Sequence, residues 1–136
     1  MKKDTWIALL FSFLALLLRI PFMSRFLYHW DSVNYALSLE RYDVRLHQPH
    51  PPGYFLYSMM GKLLDLVVSD ANTSLVIISV VFGSFGIGAI YLLGAKVFDQ
   101  RTGILTALLG ISSPLHWFES EVALNYSLDF FLVSIT

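Results

Sequence analysis

Positions 71–95 contain no charged residue, and their centre, 75–93, is almost wholly apolar. As a helix this run would be roughly 37 Å long at 1.5 Å per residue, longer than the ~30 Å hydrocarbon layer of a bilayer. In lipid, backbone N–H and C=O groups must pair within their own segment, so such a run can only be helical. Ser79, Gly83, Ser84 and Gly88 form two small-xxx-small pairs within it, which let a neighbouring helix approach closely. Gly83, Gly86 and Gly88 do not make a dinucleotide-binding loop, because their order is wrong and no strand precedes them.

Three further runs share this character. Positions 5–18 are uncharged, Arg19 interrupts, and Ile20 to Met23 continue the apolar stretch, so a span over 5–23 is expected with Arg19 snorkelling to the headgroups. Lys2 and Lys3 before an apolar core also fit a cleaved signal peptide. No small-x-small cleavage site follows, which favours an uncleaved anchor. Positions 103–118 form a shorter third span with Pro114 near its far end, where a helix stops or kinks. Positions 122–136 are apolar except for Asn125 and Asp129, and the chain is expected to be the N-terminal portion of a longer protein. With 56% hydrophobic and 14% charged residues and a mean hydropathy of +0.63, too few charges remain to coat a soluble globule. The expectation is an all-α, polytopic membrane protein with spans about 5–23, 74–95, 103–118 and a partial 122–136. Surface helices are expected in an external loop, 24–73.

A net charge of −1 argues against a nucleic-acid partner. The absence of cysteine removes disulfides, thiol nucleophiles and cysteine metal sites. The chemistry is gathered in the loop. Asp31-Ser32-Val33-Asn34 spells a helix start with Asp31 as cap and Val33, Ala36 and Leu37 on one face. Pro51 and Pro52 suit the first turn of another helix, whose stripe of Phe55, Met59, Leu63 and Val67 fits a membrane surface. With a cytoplasmic N-terminus, Asp31, His50 and Glu121 share one side. Basic residues do not decide this orientation: Lys2, Lys3, Lys96 and Arg101 lie inside, against Arg19, Arg25, Arg41, Arg45 and Lys62 outside. His47 and His50 are half a metal site; no cofactor is predicted, and a divalent metal stays an open alternative. Asn72-Thr73-Ser74 and Asn125-Tyr126-Ser127 are glycosylation sequons by spelling only.

An anchor, an Asp just after it, His50-Pro51-Pro52 before a short helix, and a Gly-rich span resemble the GT-C glycosyltransferases. The narrower resemblance is to the protein O-mannosyltransferase and aminoarabinose-transferase superfamily, whose Pro…Glu-x-x-Leu-x-Tyr-x-Leu pattern is similar to the segment from Pro114 through Glu121, Leu124 and Tyr126 to Leu128. The resemblance implies sugar transfer from a polyprenyl-phosphate donor to a hydroxyl of a lipid, glycan or protein acceptor, outside the cytoplasm. It implies Asp31 as general base and Glu121 as a second carboxylate, with His50 shaping the site or meeting the donor phosphate. Arg41 and Arg45 are candidate phosphate ligands. Where several relatives have two adjacent acids, this chain has Asp31-Ser32, which weakens proposals that need both. The competing class is a non-enzymatic polytopic protein, a transporter fragment or an assembly subunit. A transporter would place charges at mid-membrane, and 75–93 and 103–118 carry none.

Overall fold

The computed structural model describes residues 2–136, and among them every regular element is helical apart from a single bridge between Asp43 and Gln48. The order is α1 (Lys2–Arg19), α2 (Trp30–Glu40), α3 (Phe55–Val68), α4 (Ala71–Val97), α5 (Gln100–Ser112), α6 (Pro114–Glu119) and α7 (Tyr126–Ile135), with short 3-10 turns at Ile20–Phe22 and Val44–Leu46. Two segments are long and apolar enough to cross a membrane, Lys3–Phe22 and Ala71–Val97. The run over 103–118 is two helices, broken at Ser113, whose hydroxyl accepts from the N–H of His116 to start α6. Pro114 supplies the break, because it cannot continue the α5 ladder but fits a first helical turn. At 13 residues α5 spans only about 20 Å.

Helix α4 is the mast, packing against α1, α3, α5 and α7. Its two small-residue pairs serve different neighbours. Ser79 donates to the carbonyl of Leu124 at 2.9 Å, and a side chain at Gly83 would strike Ser120 in the α6–α7 turn. Gly88 meets α1, where an added Cβ would lie 2.8 Å from the Ala8 carbonyl oxygen. Gly83 and Gly88 are about 140° apart around the helix axis, so one mast grips two sides of the molecule. One apolar cluster joins Tyr35, Tyr57, Leu75, Val76, Leu124 and Leu128 beneath the loop. A second joins Ala8, Ala15, Ile87, Tyr91 and Ala107 at the other end.

The loop helices differ from expectation in their starts. Asp31 is not the cap of α2. His29 is, its Nδ1 accepting from the Asp31 N–H at 3.2 Å. Helix α3 begins at Phe55 rather than at the prolines, because Gly53 (φ +104°) and Tyr54 (φ +36°) are left-handed and no helix runs through them. The face that α2 buries is Ser32, Tyr35, Ser38 and Leu39, while Leu37 is exposed. Helix α3 buries Tyr57, Ser58 and Gly61 and leaves Phe55, Leu63 and Val67 outward. Small residues win the interior because they let α2 and α3 touch: the Ser38 hydroxyl donates to that of Ser58 at 3.1 Å. The apolar stripe of α3 is therefore its outer face.

Candidate functional site

Asp31 sits in the first turn of α2, where the helix dipole favours a carboxylate. With its own N–H held by His29, the side chain turns to two imidazoles. His29 Nδ1 lies 3.4 Å from Oδ2, and His50 Nδ1 lies 3.5 Å from Oδ1. Asp31 and His50 are each about a quarter exposed, 25% and 22% by side chain, so the pair is shielded yet reachable. Tyr35 and Tyr54 fix the His50 ring, with centroids 5.3 and 5.1 Å away. The loop turn that carries His50 is tied down by Tyr42, whose hydroxyl donates to the Gly53 carbonyl at 2.8 Å.

Tyr35 is fully buried, and its hydroxyl donates to Asn125 Oδ1 at 2.8 Å across the α6–α7 turn. Burial first, then the neighbouring Tyr54, Tyr57, Asp31 and Asp129, push its ionisation far above the usual phenol range, so it remains a donor. Asn125 in turn donates to Asp129 Oδ2. Sequence reasoning missed Tyr35 and Asn125 because they are 90 residues apart. Both sequon asparagines are closed by such contacts: Asn125 is 3% exposed, and Asn72 donates to the Ser24 carbonyl at 2.9 Å.

Glu121 belongs to a different neighbourhood. Its carboxylate acts on Arg19 while its buried Oε1 has no hydrogen-bond partner, and its backbone carbonyl accepts from the Ser24 N–H at 2.8 Å. Burial raises its ionisation above the ordinary range, opposed first by Arg19 and then by the nearby Trp117. Arg19 does not snorkel. It is 0% exposed, stacked over Trp117 at 5.4 Å, and donates to the Ala15 carbonyl, while its Nε and Nη2 have no partner. Trp117 on α6 covers the guanidinium.

Arg41 and Arg45 are brought together by Asp43, which sits 3.3 and 3.0 Å from their terminal nitrogens. The hydrogen bond from Arg45, followed by the two guanidinium charges, holds the Asp43 carboxyl below the usual range despite the opposing desolvation. Both arginine heads remain in solvent, 68% and 86% exposed. Ser32, the residue beside Asp31, is buried with its hydroxyl unpartnered. It points away from the solvent that reaches Asp31. Among the described residues no group of three or more acids and imidazoles is placed to hold a metal ion.

No curated protein and no solved structure matches the chain. The model of the protein O-mannosyl-transferase TMEM260 N-terminal domain matches residues 41–136, which takes in Arg41, Arg45, His50 and Glu121 and leaves Asp31 just outside. That match covers most of the chain, including the mast, the left-handed turn before α3 and the α6–α7 turn that reaches back to Tyr35. The chain belongs to the TMEM260-type protein O-mannosyl-transferase family, a family of glycosyltransferases, as its N-terminal domain.

Proposed function

We propose that this domain supplies the base for sugar transfer from a polyprenyl-phosphate-linked mannose to a protein hydroxyl, on the extracytoplasmic side of a GT-C-type membrane enzyme. The observation that carries the reading is Asp31, an accessible carboxylate flanked by His29 and His50 at a helix start beside the exposed Trp30. The acceptor oxygen attacks the anomeric carbon, its proton passes to Asp31, and the bond from that carbon to the phosphate oxygen breaks, releasing polyprenyl phosphate. His50 keeps the Asp31 carboxylate turned toward the acceptor. Arg41 and Arg45 meet the donor phosphate with donors that Asp43 does not use. Glu121 contributes a carboxylate on the same side, acting through Arg19. The outward apolar face of α3 lies against the bilayer, which brings a lipid-borne donor to the rim.

Asp31→Asn tests the assignment in the full-length protein. An amide of equal shape cannot take the proton, so turnover should fall ~10²–10⁴-fold. Folding should be unchanged, since His29 and not Asp31 caps α2. Rates are compared in membranes at matched expression with polyprenyl-phosphate mannose. Activity within about threefold of wild type would remove Asp31 from the chemistry.

A further inference from the structure

A cavity of about 140 Å³ opens between α3 and α7, lined by Tyr54, Tyr57, Asn125, Leu128, Asp129 and Leu132 among others. At ~30 Å³ per water it has room for four or five waters, too small for a lipid head with its chain, and because it opens to the surface a pyranose ring would seat in it with one edge outside. Its polar lining comes from Asn125 and from Asp129, an exposed carboxylate on an otherwise largely apolar helix. Asn125 donates to Oδ2, while Oδ1 takes no hydrogen bond from the described residues. Asn125 is itself fixed by the Tyr35 hydroxyl, so the carboxylate and amide are held before any ligand arrives. Tyr54, which walls the cavity, also touches His50, the neighbour of Asp31. One aromatic ring therefore links the cavity to the Asp31 pair.

We infer that this cavity seats one sugar ring, with Asp129 accepting its hydroxyls, Asn125 bridging, and the tyrosine rings packing its C–H face. A carboxylate oxygen takes only donors, and sugar hydroxyls are donors that need no charge. An apolar wall with a few fixed polar groups is how small neutral ligands are oriented. That the ring is the one transferred rests on the transferase reading; that the cavity binds a monosaccharide does not.

Saturation-transfer NMR on the purified full-length protein, with methyl α-mannopyranoside as probe, separates the two. Wild type should bind at millimolar concentration. Asp129→Asn should weaken binding at least tenfold with the thermal midpoint kept, and Asp129→Leu should abolish it with a lower midpoint, because the buried Asn125 amide loses its acceptor. Asp31→Asn should bind as wild type does. No wild-type signal at 50-fold excess over that range, or Asp129→Leu binding within threefold of wild type, overturns the site. Binding that depends on Asp129 in a protein that transfers no mannose would support the site while removing the proposed reaction.

Discussion

His29 accepts the N–H of Asp31, which leaves the Asp31 carboxylate free of the capping duty its position suggests. That exchange could not be read from the sequence, where Asp is the stronger cap and His the weaker. Asp31 and His50 stand out in the sequence as candidates, because the loop spells them out between apolar runs, and the fold brings them 3.5 Å apart. Tyr35 and Asn125 do not, since only the folded chain brings them together. Their bond has a measurable worth. Tyr35→Phe leaves the buried Asn125 oxygen without its donor, which should cost about 1–3 kcal/mol. The thermal midpoint in detergent should fall, and an unchanged midpoint would mean that Asn125 finds another partner.

Hydropathy exposed the long helices, and α1 and α4 lie where the charge-free runs put them. The starts of the shorter elements were harder, for a physical reason. Left-handed residues at 53 and 54 carry no composition signal strong enough to outweigh the prolines before them. The apolar stripe of α3 faces outward, as a surface helix requires, while the faces that α2 and α3 turn to each other carry serine and glycine, because tight helix contact selects them over leucine. Arg19 was visible as a break in an apolar run, yet its partner lies in another element. The end of α1 and the α6–α7 turn are joined there by Arg19, Trp117 and Glu121. Arg19→Leu and Glu121→Gln should each destabilise, and the double variant should lose less than their sum by ~0.5–3 kcal/mol. Additive losses would mean that the two act independently. The pH dependence has a definite sign. Burial raises Glu121, so the folded state holds that proton more tightly than the unfolded chain. The resulting stability is full below the ordinary 4.5 and is lost as pH rises through the higher folded value. Glu121→Gln should flatten that arm of the melting-point profile.

The whole molecule has two ends, and the loop residues are gathered at one of them. If α1 and α4 both cross a bilayer, cysteines placed at the exposed Arg45 and Ser69 should react with an impermeant thiol reagent from one side. A cysteine at the exposed Phe98 should react from the other. Labelling of Ser69 from the Phe98 side would sink this arrangement. The mast arrangement also sets a schedule. Tyr35 is made long before Asn125, and 90 residues separate them. At ~5–20 residues per second, a ribosome needs roughly 5–20 s to cover that distance. Through this interval α2 and its carboxylate already exist, while the turn that anchors Tyr35 has not been synthesised. The newborn loop therefore cannot close its deepest hydrogen bond until the far end of its own chain has been made.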